Sequence, residues 1–246
     1  HYGELVAMDR SIGRLQSQLR ELGIWENTLV WFCSDNGGLP KIKPSTVGPL
    51  RGNKGTIYEG GLRVPGIIQW PAVIVDPRKT AYPASVLDIL PTLLDVVDIP
   101  IPEDRPLDGI SLKPLLTEDL QQRSKPIPFR HIGRAAWVDN DYKLLTNRLK
   151  DGAFELYDLA RDPGEQKDVS EDHPEIAKRM AEQLLQWSQS VDDSFAGKDY
   201  PAGKVNANEP SPRFWTDMPE YQPYFGQWRQ RWEYKSRLAK QKKPGR

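Results

Sequence analysis

An apolar run that ends abruptly in Ser34-Asp35-Asn36-Gly37-Gly38 is the feature that most constrains this chain of 246 residues. The run occupies Thr28–Phe32 and contains valine, tryptophan and phenylalanine, which favour β-strands. Two short oxygen-bearing side chains, Asp35 and Asn36, follow it. In open α/β sheets, ligands bind at the carboxyl ends of strands. The pattern therefore predicts a strand that delivers Asp35 and Asn36 to a binding edge.

An amphipathic helix precedes this strand. Apolar residues recur at alternating spacings of 3 and 4 from Leu5 to Leu22, which places them on one stripe of a helix over roughly residues 2–22. Gly23 is suited to end that helix in a left-handed cap. Helix, short turn and apolar strand are typical of a crossover unit in a mostly parallel sheet. The amino-terminal part is therefore predicted to be α/β, with helices flanking the sheet.

A glycine-rich segment with one lysine at its centre follows about twenty residues later. It reads Arg51-Gly52-Asn53-Lys54-Gly55 and continues to Tyr58-Glu59-Gly60-Gly61. A lysine ammonium among backbone N–H groups can hold a sulfate or phosphate oxygen as a point charge. The alternative is a solvated lysine in a flexible loop. Arg63 is expected to pair with Glu59 or another acid.

Asp35 and Asn36 are candidate metal ligands. A carboxylate and an amide carbonyl are hard oxygen donors, which suit Ca²⁺ or Mg²⁺. Two ligands are too few for a complete site, because Ca²⁺ takes about 6–8 oxygens. The alternative is a turn that closes the strand, since Asp-Asn-Gly is also turn chemistry.

The later part of the chain predicts a second structural unit. Arg134–Val138 and Tyr142–Thr146 flank a hairpin signal, and Phe154–Leu159 predicts a third strand. A helix with an apolar stripe is expected to begin at His173-Pro174, where proline suits the first helical turn. These patterns predict a small antiparallel sheet with one covering helix.

Three divisions of the chain follow from these patterns. Residues 1–128 are expected to belong to the α/β part, with the proline-dense stretch 99–128 as its boundary. Residues 129–194 are expected to form the antiparallel unit, and 195–246 an irregular, aromatic-rich basic tail. The last eighteen residues, Arg229–Arg246, carry eight basic residues against Glu233 as the one acid. This tail is interpreted as a solvated end, with contact to an anionic polymer or a partner as the alternative.

The overall charge gives no indication of a nucleic-acid or membrane partner. Lys+Arg and Asp+Glu balance at 34 each, so no global field favours nucleic acid or an anionic membrane. No apolar run approaches the ~20 residues that cross a bilayer. The oligomeric state is not indicated by any pattern.

A nucleophile is the missing component. Cys33 is expected to be a small buried hydrophobe, because nothing basic lies beside it. The three histidines, His1, His131 and His173, are scattered along the chain, and His173 is interpreted as a helix-start residue.

Taken together, the motifs resemble those of the sulfatases of the alkaline phosphatase superfamily. The resemblance covers about residues 1–190, and six motifs in the right order carry it more strongly than any one of them. The six motifs are Tyr2-Gly3-Glu4-Leu5-Val6-Ala7-Met8-Asp9 with Ile12-Gly13, Asn27-Thr28-Leu29-Val30, Ser34-Asp35-Asn36-Gly37, Arg51-Gly52-Asn53-Lys54-Gly55-Thr56, Tyr58-Glu59-Gly60-Gly61-Leu62-Arg63-Val64-Pro65 and Trp70-Pro71. Four later segments resemble further landmarks of the family: Asp88-Ile89-Leu90-Pro91-Thr92, Asp108-Gly109-Ile110-Ser111-Leu112, Glu155-Leu156-Tyr157-Asp158-Leu159 and Asp162-Pro163-Gly164-Glu165.

The resemblance implies a sulfuric ester hydrolase. In such enzymes a Cys or Ser is oxidised to formylglycine, and Ca²⁺ holds that group and the sulfate. Carried over by position, Asp35 and Asn36 resemble metal ligands, and Lys54 resembles the lysine that contacts the sulfate. The implied substrate is a sulfate ester, with a sulfated carbohydrate as the candidate. The implied location is periplasmic, extracellular or lysosomal.

The chain departs from the family at the nucleophile. No Cys/Ser-x-Pro/Ala-x-Arg sequence is present, and Cys33 is followed by Ser34-Asp35-Asn36-Gly37 instead. The early Asp-Asp pair, and the histidine and lysine that precede this region in the family, are missing too. We therefore expect the carboxyl-side portion of a sulfatase, inactive alone. The alternatives are a phosphodiester or phosphonate hydrolase of the same superfamily, and a non-catalytic module that binds sulfated glycans.

Overall fold

The computed structural model describes residues 2–43, 45–101, 106–199 and 214–239. The chain divides into two compact units, His1–Asp192 and Asp193–Arg246. The end of the predicted basic tail, residues 240–246, lies outside the described residues, as does His1. Across the described ranges, no helix is both long enough and apolar enough to cross a membrane.

In its described residues, the amino-terminal part of the first unit contains three α-helices and one strand pair. The helices are α1 (Tyr2–Glu21), the single turn α2 (Glu59–Leu62) and α3 (Ile89–Val96), which extends a 3₁₀ turn. Strand β1 (Val30–Cys33) begins and ends slightly later than predicted.

The pairing of β1 differs from the predicted crossover unit. Its partner is β2 (Gly66–Gln69), which runs antiparallel with Val30 opposite Gln69 and Cys33 opposite Gly66. The chain leaves β1 through the long loop, makes the short α2 turn and returns alongside the same strand. Within the part of the chain that the structure describes, the strand pairs are all antiparallel. The α/β mixture is therefore as predicted, but β1 and β2 do not form a parallel pair.

The apolar stripes of α1 and α3 are not covered by the described residues. Helix α1 has no buried residue, and Leu5, Met8 and Leu15 are 45%, 43% and 46% exposed. Leu90 on α3 is likewise exposed.

The carboxyl-side part of the first unit is a four-stranded antiparallel sheet in the order β3-β4-β5-β6. The predicted hairpin and third strand are present as β4 (Arg134–Asp139), β5 (Tyr142–Thr146) and β6 (Glu155–Asp158). Strand β3 (Ile127–His131) was not predicted, and it begins within the proline-dense stretch 99–128 that the sequence indicated as a boundary. An edge strand tolerates proline, and β3 is at the edge.

Each face of this sheet packs against a different element. Because side chains alternate along a strand, Ala135, Trp137, Leu144 and Leu156 share one face, and they pack against the predicted helix, α4 (Pro174–Phe195), through Met180 and Leu184. On the other face, Ala136, Leu145 and Tyr157 pack against Ile57, which is 1% exposed. The glycine-rich segment is therefore seated directly on the sheet.

The second unit contains more regular structure than the sequence indicated. Its described residues include α5 (Phe225–Trp228) and α6 (Trp232–Ala239), where an irregular tail was predicted. Ring contacts organise the unit: Trp215 and Trp228 lie 5.6 Å apart between centroids, and each also contacts Tyr234. These short helices were missed because the sequence of this unit shows no clear helical periodicity.

Candidate functional site

The turn after β1 carries the two predicted metal ligands. Asp35 is exposed and Asn36 is half-buried. The Ser34 hydroxyl donates to the Asn36 carbonyl at 3.3 Å, and the Asn36 amide nitrogen donates to the Gly37 carbonyl at 3.0 Å. These local bonds hold the turn and leave the Asn36 amide oxygen for another partner.

Backbone hydrogen bonds join this turn to the glycine-rich segment. The Gly37 N–H donates to the Gly61 carbonyl at 3.0 Å, and the Lys54 N–H donates to the Gly38 carbonyl at 2.9 Å. A Cβ atom on Gly37 would lie 1.9 Å from the Gly60 carbonyl oxygen. The two backbones can approach this closely because residue 37 is a glycine, which has no Cβ atom. The structure thus brings together the two segments that the sequence analysis identified separately.

Lys54 has a fixed backbone and an exposed side chain. Gly52 and Gly55 flank it at φ values of 80° and 88°, which only glycine adopts readily. Among the described residues, no hydrogen bond or ion pair to the Lys54 ammonium is found. The contact with an oxyanion therefore stays a prediction.

A cleft of about 500 Å³ opens beside the Asp35–Gly38 turn. Asp35 and Asn36 line it, together with Arg63, whereas Lys54 is not among its lining residues. Arg63 was predicted to pair with Glu59 or another acid, but the Glu59 carboxylate binds Lys143 instead, and no ion pair of Arg63 is found among the described residues. Arg63 is thus a candidate contact residue that the sequence analysis assigned to a structural role.

The other predicted candidates lie elsewhere. Cys33 is a half-buried free thiol within β1. His131 is exposed at the end of β3, and the His173 ring contacts the edge of Tyr142 with centroids 5.5 Å apart. None of these residues lines the cleft.

Asp35 and Asn36 have the type of ligand atom that Ca²⁺ or Mg²⁺ requires, but two ligands are too few for a complete site. Asp35 and Asn36 offer hard oxygen donors, as such ions require. Over the described ranges, no cluster of three or more His, Cys, Asp or Glu side chains could hold a metal ion. Further ligands from elsewhere would be needed to complete the coordination.

Arg51 anchors the glycine-rich segment to the four-stranded sheet. Its guanidinium donates to the Tyr157 hydroxyl at 3.0 Å and to the Glu165 carbonyl at 2.9 Å, and it lies 4.0 Å from the Tyr58 ring centroid. Burial, and then a hydrogen bond to Glu155, raise the pKa of Tyr157, so its hydroxyl stays protonated while it accepts from Arg51. Sequence reasoning missed Tyr157 and Glu165 because they lie more than a hundred residues away.

Two family models match the chain. The model described as Sulfatase matches residues 1–99, and the model described as N-sulphoglucosamine sulphohydrolase, C-terminal, matches residues 52–190. Steryl-sulfatase of Mus musculus is 32% identical over 224 residues, a match that covers 74% of this chain and 35% of the relative. The chain belongs to the sulfatase family. It spans about a third of the length of this curated relative.

Solved structures support the same assignment. The structure of Ps i-CgsB in complex with k-i-k-neocarrahexaose is similar at a TM-score of 0.68 and 27% identity, covering 82% of this chain and 48% of that chain. The phosphonate monoester hydrolase of Agrobacterium radiobacter is similar at a TM-score of 0.57 and 27% identity, covering 77% of this chain and 40% of that chain. The predicted α/β sulfatase fold is confirmed.

Proposed function

We propose that this chain forms the carboxyl-side part of a sulfuric ester hydrolase, to which it contributes Asp35, Asn36 and Lys54. The observation that carries this proposal is the hydrogen-bonded crossing of the Asp35–Gly38 turn with the Lys54 segment. Family membership supports it. The chain spans about a third of the length of its curated relative, which also supports the proposal. The nucleophile motif that is absent here would lie in the other part of such a protein.

Each of the three residues has a defined task in this proposal. Asp35 and Asn36 direct oxygen donors toward a Ca²⁺ ion, with Mg²⁺ as the alternative. The ion, when bound, supplies Lewis-acid stabilisation of negative charge on the sulfate oxygens. Lys54 presents its ammonium to the same oxygens. A preorganised donor of this kind stabilises charge that develops in the transition state, because its position is fixed before reaction.

No residue of this chain fits the formylglycine nucleophile. Cys33, the one cysteine, is followed by Ser34-Asp35-Asn36 rather than by the x-Pro/Ala-x-Arg pattern. Its strand is paired with β2 along its whole length. We therefore expect the chain alone to be inactive toward sulfate esters, and we assign no covalent step to it.

The proposed substrate is a sulfate ester of a carbohydrate. The complex of Ps i-CgsB with k-i-k-neocarrahexaose supports this substrate class. An exported or lysosomal location is part of the same proposal, because enzymes of this family are commonly exported or lysosomal.

The test is hydrolysis of 4-nitrophenyl sulfate by the full-length product of the gene that encodes this chain. Lys54→Ala is expected to lower kcat/KM by about 10²-fold, the effect of removing one such donor. Lys43→Ala is the matched control, since Lys43 is an exposed lysine of the preceding loop outside the cleft lining. Equal activity of the two variants would refute the role of Lys54.

A phosphonate or phosphodiester hydrolase is the second candidate, favoured by the similarity to phosphonate monoester hydrolase. The ratio of kcat/KM for 4-nitrophenyl phenylphosphonate and 4-nitrophenyl sulfate separates the two. Retention on heparin or carrageenan without hydrolysis of either ester would indicate a non-catalytic glycan-binding module.

A further inference from the structure

A buried cluster of three charges lies beneath the glycine-rich segment. Lys143 on β5 is completely buried, and its ammonium lies 2.9 Å from Glu59 Oε1 and 2.9 Å from Glu165 Oε1. Glu59 is 8% exposed and Glu165 is fully buried. Lys143 is paired with Tyr157 and therefore lies on the sheet face that packs against Ile57, away from α4. The cluster thus lies where the glycine-rich segment meets the sheet.

Glu165 makes hydrogen bonds at its N–H, its carbonyl and Oε2, and Oε1 lies at ion-pair distance from Lys143. Its N–H donates to the Asp162 carbonyl at 3.1 Å, and its carbonyl accepts from Arg51 at 2.9 Å. Its Oε2 accepts from the Glu59 N–H at 2.7 Å, while Oε1 faces Lys143. Glu165 also has a left-handed backbone with φ of 53°. A non-glycine residue keeps that conformation when its surroundings over-determine it.

A buried ionic cluster is not the simplest way to stabilise a core. Removing charges from water is costly, and apolar residues of similar volume often stabilise a protein equally well or better. The cluster instead constrains position, because two carboxylates and one ammonium fix Glu59 relative to β5. Glu165 belongs to the Asp162–Glu165 motif, to which the proposed function gives no task.

Backbone hydrogen bonds of the two residues that follow Glu59 connect it to the candidate site. The next residue, Gly60, donates to the Arg51 carbonyl at 2.7 Å, and the Gly61 carbonyl accepts from Gly37 at 3.0 Å. The Lys54 N–H closes the connection by donating to Gly38. The cluster therefore holds the glycine-rich segment, and that segment holds the turn after β1 through these two backbone bonds.

We propose that Glu59, Lys143 and Glu165 are positioning residues that hold the glycine-rich segment against the sheet. In this way they keep Lys54 in a fixed position relative to the Asp35–Gly38 turn. The catalytic consequence rests on the proposed function. The positioning itself is a property of this chain and can be measured without any substrate.

The first test is amide hydrogen exchange of the 246-residue chain. Glu59→Ala is expected to accelerate exchange at the Lys54 and Gly37 amides by at least about tenfold relative to amides of β4. Glu59→Gln, which keeps an acceptor for Lys143, is expected to restore most of the protection. Asp88→Asn is the matched control, because it disrupts an equally buried pair with Arg123 elsewhere in the same unit. Uniform acceleration in all three variants, or none, overturns the proposal.

The second test is a double-mutant cycle in the full-length protein. If Glu59 acts through Lys54, Glu59→Ala lowers kcat more than it changes KM, and adding it to Lys54→Ala causes little further loss. Fully additive losses overturn the proposal. Absence of hydrolysis in the wild-type protein would refute the proposed function instead, and the exchange experiment would then decide the positioning role by itself.

Discussion

Substitution of Gly37 by alanine tests the crossing on which the candidate site depends. The new Cβ atom would lie 1.9 Å from the Gly60 carbonyl oxygen, 2.7 Å from its carbon and 2.9 Å from the Gly61 Cα. All three obstacles are backbone atoms, so no side chain can rotate away. One segment would have to move by about 1.5 Å to reach ordinary contact, and forced displacement in a packed region typically costs about 1–3 kcal/mol.

The same movement would break two hydrogen bonds. The Gly37–Gly61 and Lys54–Gly38 bonds each contribute a net of roughly 1 kcal/mol to stability. The total expected loss in the free energy of unfolding is therefore about 3–5 kcal/mol. That is a large part of the roughly 5–15 kcal/mol that stabilises a typical domain.

Urea denaturation of the chain, followed by circular dichroism, measures this loss directly. Gly66→Ala is the control, because Gly66 lies in β2 with open space around its Cβ position and no positive φ. Its free energy of unfolding is expected to stay within about 0.5 kcal/mol of wild type. If Gly37→Ala were as stable as Gly66→Ala, the close approach of the two backbones would not exist in solution.

Three further outcomes are expected. Burial raises the pKa of Glu165 above its ordinary value of 4.5, against the opposing charge of Lys143, so the folded state binds the proton more tightly. The free energy of unfolding should therefore fall as pH rises from 4.5 through the raised pKa, and urea midpoints of Glu165→Gln should lack that slope. Asp88→Asn should cost about 3–5 kcal/mol in the same urea assay, since it leaves the Arg123 charge buried without its full partner; an unchanged midpoint would contradict this. Leu15→Lys on α1 should change the free energy of unfolding by less than about 0.5 kcal/mol, because that side chain is 46% exposed, and a larger loss would show that the stripe is covered in solution.

Local patterns were sufficient to predict most elements of the fold. The hairpin around Asn140 follows from turn chemistry, and Asn140 adopts the left-handed φ of 53° that such turns require. Helix α4 follows from its apolar stripe, which packs on the sheet through Met180 and Leu184. These features depend on neighbours within a few residues, which a single sequence displays.

Features that depend on distant partners were not predictable in the same way. Glu59 has ordinary surroundings in the sequence, and its ion pair with Lys143 spans 84 residues. A lysine in a short apolar strand gives no indication that it will be fully buried. The antiparallel pairing of β2 with β1 was also not predictable, because the long loop between them carries no sequence signal for pairing.

The candidate site was predictable in its residues but not in its geometry. Asp35, Asn36 and Lys54 were identified from chemistry and from resemblance, and the backbone contacts between their segments agree with that choice. The roles of these residues stay predictions. The glycines explain the limit: their spacing indicates a close approach, but only the structure identifies which backbones approach each other.

The exposed stripe on α1 has a consequence for colloidal behaviour. Contiguous apolar surface promotes association between copies, and charge repulsion is the usual means by which a protein resists it. Here the positive and negative residues cancel, so the formal net charge at pH 7 is zero. The chain by itself should therefore be least soluble near neutral pH, and light scattering should fall as the buffer moves away from pH 7 in either direction.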